Sequence, residues 1–248
     1  MKPGAMVTGQ GCVEVEPKNR LVRLGLARAI GEAASYAWGD LLDVGCGTMP
    51  YEPFFKPYVT RYVGMDIDDA GYGDQRQTVG LSVDAYGEAE RLPFSEGAFN
   101  TILSFQVIEH LRHPWRFFEE AARVLSPGGT LILSTNQQWH EHDAPHDYFR
   151  FTRHGLESMA VEAGLAVCMK QSVGGGMLMI GTALNQWWST ECRYTNGGRL
   201  RGRVLVNLTN LATRVAERFF RWPENTSHWV MVAKKPGPPP QPEDMPCR

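Results

Sequence analysis

The stretch Leu41-Leu42-Asp43-Val44-Gly45-Cys46-Gly47 constrains the fold of this chain more than any other. A short apolar run that stops at glycine reads as a buried strand rather than a helix. A strand that ends this way leaves bare backbone at the carboxyl edge of a sheet, where ligands of doubly wound α/β folds bind. Gly45 and Gly47 carry no Cβ, so a ligand can lie directly on the main chain there. Asp43 sets a carboxylate beside that surface, which disfavours a pyrophosphate and favours a ligand that carries an ammonium. A dinucleotide loop of the GxGxxG type would also require glycine where Pro50 stands.

The rest of the chain supplies the sheet that this strand needs. Lys18–Trp38 has helical spacing, with Leu21, Leu24, Ala27, Ala34 and Ala37 recurring on one face. Further strands are expected at Arg61–Ile67, Leu81–Ala85, Asn100–Val107, Thr130–Thr135, Leu165–Ser172 and His228–Lys235. Pro114 opens a helix over Trp115–Leu125, and Ser126–Gly129 reads as a turn. Thr152 is a good N-cap for a helix that Gly164 stops. Strands alternating with helices give an α/β fold: a doubly wound, mostly parallel seven-stranded sheet with a helical, C-terminal elaboration. Met1–Pro17 reads as a loose arm, 18–235 as the domain, 174–226 as a helical C-terminal insertion, and 236–248 as a proline-rich disordered tail.

Composition narrows the function. The 248 residues carry a net charge of −2, so no general basic field argues for nucleic acid. The five cysteines are scattered without a CxxC pair, which favours a reducing, cytoplasmic setting. No run of roughly 18 uninterrupted apolar residues is present, so no spanning helix is expected.

The next strand ends sharpen the ligand. Asp66, after the second strand, stands where an acidic residue takes both ribose hydroxyls, and Ile67 can lie against a base. Glu88 and the Ala89 backbone N–H can read the edge of adenine. Asp43, Gly45, Gly47, Asp66, Glu88-Ala89-Glu90-Arg91-Leu92-Pro93-Phe94, Glu109-His110-Leu111 and Arg123-Val124-Leu125-Ser126-Pro127-Gly128-Gly129 occur in order. In this the chain resembles the class I S-adenosylmethionine-dependent methyltransferases of the small-molecule branch. The resemblance implies a Rossmann-like methyltransferase fold and S-adenosyl-L-methionine as cofactor. It implies cofactor contacts from Asp43, Gly45, Cys46, Gly47, Asp66, Ile67, Glu88, Ala89, Phe105 and Gln106. The last glycine of the family's DxGCGxG motif is Met49 here, and glutamate (Glu88) replaces its usual aspartate in the adenine segment. The competing readings are an NAD(P)-dependent oxidoreductase and a silent cofactor-binding protein.

Asn136–Leu156 follows the fifth strand and should face the acceptor. Its "PHDYFRFT" segment is similar to one found in bacterial methyltransferases. His146, His140 or His110 is the expected general base for a hydroxyl acceptor. His142, Asp147, Tyr148 and Arg150 are the expected acceptor contacts, against a plainer reading in which Asp147 and Arg150 simply pair. The spacing of His140, His142, Asp143 and His146 matches no metal signature, so no metal is expected. The expected reaction is transfer of a methyl group, most simply to oxygen, on a small-molecule or glycan- or lipid-linked acceptor.

Leu200–Trp222 is amphipathic and rich in arginine. Val204, Leu208, Leu211, Val215, Phe219 and Trp222 share one face. A basic amphipathic helix can lie on a membrane. The plainer expectation is that its apolar face packs on the sheet or on a second subunit in a homodimer.

Overall fold

The computed structural model describes residues 5–8, 11–14, 16–67, 83–192, 198–220 and 222–237. The side chains of 5–14 and 199 fall outside that description. Fifteen elements follow in chain order: β1 (Ala5–Thr8), β2 (Gly11–Glu14), α1 (Arg20–Ala33), β3 (Asp40–Val44), α2 (Glu52–Phe55), β4 (Arg61–Asp66), β5 (Ala85–Tyr86), β6 (Phe99–Phe105), α3 (Pro114–Val124), β7 (Leu125–Asn136), α4 (Arg153–Glu162), β8 (Ala166–Val173), α5 (Gly176–Glu191), α6 (Gly198–Phe219) and β9 (His228–Lys234).

Seven strands form one sheet in the order β5-β4-β3-β6-β7-β9-β8. Its first five strands pair in parallel, and β9 runs antiparallel to both neighbours, β7 and β8. The order turns around between β3 and β6, which makes their carboxyl ends the place where a doubly wound sheet opens a crevice. β3 earns this central position because Leu41, Leu42 and Val44 are fully buried on both faces of the sheet. One core packs Leu42, Ile102, Leu131 and Met231 against α3 and α4. The other packs Leu41, Leu103, Ile132 and Val230 against α1 and α2.

Several sequence expectations change in detail. The arm carries a two-stranded antiparallel hairpin, β1 with β2. The first helix is shorter than Lys18–Trp38, since residues 17–19 and 34–36 are 3-10 turns. The third strand is only Ala85–Tyr86, and 68–82 lie outside the described residues. Ser126–Gly129 does not stand apart as a turn. It belongs to β7, where the pairing register with β6 shifts between Phe99 and Thr101 and Gly128 takes φ +78°. Gly174–Gly176 is a close approach: a Cβ on Gly175 would lie 3.0 Å from the Trp222 nitrogen. Thr152 caps α4 as expected, its hydroxyl accepting from the Gly155 N–H at 3.1 Å. The expected disordered tail lies, from residue 238 onward, outside the described residues.

Candidate active site

The cleft at the β3 edge is built by backbone groups that no side chain obstructs. Gly45, Gly47 and Met49 all take positive φ (+72°, +51° and +52°) as the chain leaves the strand. The Gly45 and Cys46 N–H groups both donate to the Met65 carbonyl, at 2.8 and 3.1 Å, which ties the turn to β4. A Cβ on Gly45 would lie 2.4 Å from a methyl of Val107, so glycine is required where β6 comes closest. Met49 supplies the third positive φ, where the family motif has glycine. Its side chain folds under the turn: a Cβ on Gly64 would meet the Met49 methyl at 2.4 Å. A methionine in this conformation costs about 1 kcal/mol of backbone strain, and its side chain fills the space that Gly64 leaves open. Met49 therefore redirects the chain from below and does not enter the cleft.

Asp66 is aimed in advance. Its Oδ2 accepts from the Gly47 N–H and its Oδ1 from the Ile67 N–H, both at 2.8 Å. Each oxygen keeps a second lone pair, so the carboxylate can take two hydroxyls of a ribose. The cleft has an empty volume of about 500 Å³ and is lined by Gly45, Asp66, Ile67, Ala89 and Gln106 among the expected residues. Met65, Gly87, Val107 and Leu111 join them without having been singled out from sequence. Bare glycine backbone, an oriented carboxylate and an apolar wall fit an adenosyl ligand.

Other expected contacts sit elsewhere. Asp43 is buried beneath the turn, where its Oδ2 accepts from the Tyr62 hydroxyl at 2.5 Å. Burial pushes its carboxyl up to about 6, and the Tyr62 hydrogen bond works against that shift. Phe105 turns into the second core, edge-on to Tyr51 at 5.0 Å. Glu88 is exposed and pairs through its backbone with Arg91, while Ala89 alone of that pair lines the cleft. Cys46 is a buried filler whose thiol burial pushes up to about 12.

A second cleft adjoins the first. Gln106 and His110 line both. Its other walls are Val22, Arg23 and Leu26 from α1, Trp139, His142 and Asp143 from the loop after β7, and His228 from β9. Gln106, at φ +59°, is fixed in the dividing wall: its N–H donates to the Ser134 carbonyl and its Nε2 to the Ser134 hydroxyl.

His110 is the best-defined reactive group here. Its Nδ1 lies 2.6 Å from the His146 carbonyl. A carbonyl only accepts, so Nδ1 carries the proton and Nε2 keeps its lone pair. Asp143 Oδ2 stands 3.9 Å from that Nε2, and the His142 ring meets His110 edge-on at 4.8 Å. Burial lowers the His110 imidazole below its ordinary value, which favours the neutral form.

The loop is held by two anchors. Glu109 is fully buried, with its carboxylate accepting from Thr135 Oγ1 (2.8 Å) and Asn136 Nδ2 (3.0 Å) and its carbonyl from the N–H groups of Tyr148 and Phe149. Burial pushes its carboxyl up to about 7. Arg150 is the second anchor. It pairs in bidentate fashion with Asp147 at 2.7 Å and also donates to the carbonyls of Trp139, His140 and Phe149. Those bonds engage all five guanidinium N–H donors, so Arg150 has none left for an acceptor. Asp147 also accepts from the His142 N–H, and Arg150 holds its carboxyl far below the usual carboxylate range. The plainer reading of that pair is the one the geometry supports.

The remaining loop residues divide. His142 lines the second cleft, whereas His140 lines an apolar groove beside α5. His146 reaches the cleft through its carbonyl, and its ring sits by the Tyr148 hydroxyl at 3.3 Å. Tyr148 lies under the Arg112 guanidinium rather than in the cleft. Glu109, His110 and His142 each bring one ligand-type atom within 4.8 Å of the others, so these three, and not the His140–His146 set, are the described residues that could share a cation.

The sheet order, the glycine turn and the oriented Asp66 define a class I S-adenosylmethionine-dependent methyltransferase domain, whose cofactor is S-adenosyl-L-methionine. Residues 42–133 match the family model of a methyltransferase domain. A Mycolicibacterium smegmatis protein named "Probable S-adenosylmethionine-dependent methyltransferase" is 32% identical over 96 residues. That match spans 39% of this chain and 37% of the relative's own length. Among solved structures, an S-adenosylmethionine dependent methyltransferase from Mesorhizobium loti aligns with a TM-score of 0.51 at 12% identity, covering 83% of this chain and 96% of that one. The [4+2]-cyclase SpnF aligns with a TM-score of 0.54 at 20% identity, covering 92% and 87%. The fold is thus shared with a cyclase, and the chemistry must be argued from the clefts.

Proposed function

We propose that this protein transfers a methyl group from S-adenosyl-L-methionine to a hydroxyl of an acceptor held in the second cleft. The observation that carries this is the shared wall: Gln106 and His110 line both the cofactor cleft and its neighbour. When bound, the cofactor supplies an electrophilic methyl group, and methyl transfer to an alcohol oxygen releases the hydroxyl proton. His110 is the base that takes this proton at Nε2, with Nδ1 anchored on the His146 carbonyl and Asp143 beside the imidazolium that forms. Gln106, immobilised on Ser134, fixes the boundary across which the two reactants meet. Asp66, Ile67 and Ala89 hold the adenosyl part.

The acceptor carries an apolar portion. A groove with an empty volume of about 1150 Å³ runs between Trp139–His140 and Ile180, Leu184 and Trp187 of α5. Trp139 belongs to both this groove and the second cleft. Such a groove suits the tail of a lipid-linked acceptor whose hydroxyl enters beside His110. The scattered cysteines support a cytoplasmic site of action.

Titration tests the core of this reading. S-adenosylhomocysteine should raise the melting temperature and NADH should not. Asp66→Ala should weaken S-adenosylhomocysteine by roughly 10- to 100-fold, the worth of one or two charge-assisted hydrogen bonds. A shift with NADH alone, or full affinity in the variant, overturns the cofactor assignment.

A further inference from the structure

Helix α6 is built inside out. Gly198, Gly202, Val206, Asn210 and Thr213 are its buried residues among those described. Leu200 (73% exposed), Leu211 (62%) and Phe219 (75%) face solvent, together with Val204, Leu208 and Val215. The two sets lie about 180° apart at ~100° per residue. An ordinary surface helix does the reverse.

Packing against α5 explains the inversion. Gly181 lets Thr213 approach so closely that a Cβ there would lie 2.0 Å from the threonine hydroxyl. Asn185 Nδ2 donates to Asn210 Oδ1 at 2.9 Å, with both residues buried. Asn210 Nδ2 in turn donates to the Pro17 carbonyl. Small residues and a buried amide pair give an interface that only the polar face of α6 can satisfy. Helices that meet an apolar medium on their outer side associate in this way.

Charge then selects the medium. Within α6 the sequence has five arginines and one acid, Glu217. Glu217 is turned inward, accepting from the N–H groups of Gly175 and Leu178 at 3.2 and 2.7 Å to cap α5. The outer face therefore carries Arg201, Arg214 and Arg218 beside its apolar stripe with no acid of α6 facing them, and Arg203 stands at its edge, where it lines a pocket shared with Glu16. A second copy of the same face would set arginines against arginines. Anionic lipid headgroups match the charge, and the stripe matches the acyl boundary beneath them. No helix among the described residues is long and apolar enough to cross a membrane.

We propose that the outer face of α6 docks on the surface of an anionic lipid bilayer, lying in the interface without spanning it. This inference does not depend on the methyl-transfer reading. It is tested by flotation of the full chain with vesicles of phosphatidylcholine alone and of phosphatidylcholine with phosphatidylglycerol. The protein should float with the anionic vesicles and be released by high salt. Leu208→Ser/Leu211→Ser/Phe219→Ser should abolish flotation, and Arg203→Ser/Arg214→Ser should weaken it roughly tenfold or more. Both variants should keep the wild-type melting temperature and its shift with S-adenosylhomocysteine, which separates lost docking from lost folding. Wild-type protein that stays in solution with every vesicle overturns the proposal. So does a wild-type dimer that the triple variant converts to monomer while leaving flotation unchanged, since the face would then serve a second copy.

Discussion

The two ends of this molecule obey opposite burial rules. Around β3 and β6, apolar side chains fill both faces of the sheet, and among the polar groups that enter the interior Glu109 and Ser134 hold a loop and the cleft wall in place. In the α5–α6 hairpin, amides, a threonine and glycines fill the interface while leucine, valine and phenylalanine face outward. The first region is stabilised by removing apolar surface from water. The second is held by specific polar and close-packed contacts that leave its apolar surface for something else. Burial pattern is thus a local property, set by what each element must meet on both of its sides.

The cleft side of this comparison breaks first at His110. His110→Gln should lower kcat by roughly 10²- to 10⁴-fold, the worth of a general base, while S-adenosylhomocysteine affinity falls little. Turnover close to wild type would remove His110 as the base. The hairpin side predicts an inversion of the usual mutational rule. Asn210→Leu, a change to an apolar residue inside an interface, should destabilise by about 1–3 kcal/mol, because it strands the Asn185 amide and the Pro17 carbonyl. Leu211→Ser, a polar replacement of a large apolar residue, should change stability in vesicle-free buffer by no more than about 0.5 kcal/mol. Denaturant unfolding of both variants decides the matter, and the reverse ranking would sink the inverted packing.

The remaining test concerns pH. Burial depresses the His228 imidazole from 6.5 to about 3. The unfolded chain therefore binds this proton more readily than the folded one between those values, so the stability held at pH 7 is lost as pH falls from about 6.5 toward 3. His228→Phe should flatten the acid side of a plot of melting temperature against pH. Parallel curves for the two proteins would refute it.

The cofactor cleft was largely legible in the sequence because its chemistry is carried by strand ends. A short apolar run, a glycine turn and an acid after the next strand are local features, and the sheet brings them together without help. Even there, side-chain direction was hidden. Asp43 and Phe105 alternate into the layers behind the turn, as period-2 geometry permits but does not announce. The second cleft was only half legible. His110 and His142 could be named, but Arg23 on α1 and His228 on β9 come from opposite ends of the chain, and no spacing rule joins them. In the sequence Arg150 reads either as an acceptor contact or as the partner of Asp147, and only its carbonyl neighbours reveal that all its donors are spent. Helix α6 shows the sharpest limit. Its periodicity discloses two faces but not which one turns inward, and the expectation that the apolar face packs on the sheet is reversed here. Gly181 and Asn185, on a different helix, make that choice.

The five engaged donors of Arg150 carry a consequence for evolution. Because one guanidinium closes the 139–150 loop on itself, with Glu109 pinning its far end, the loop carries its own shape as a cassette. Residues such as His142 and Asp143 can change identity without rewriting the turn that grips the nucleoside. The shape of this loop and the shape of the glycine turn are thus set by separate hydrogen bonds, so one can vary while the other is kept.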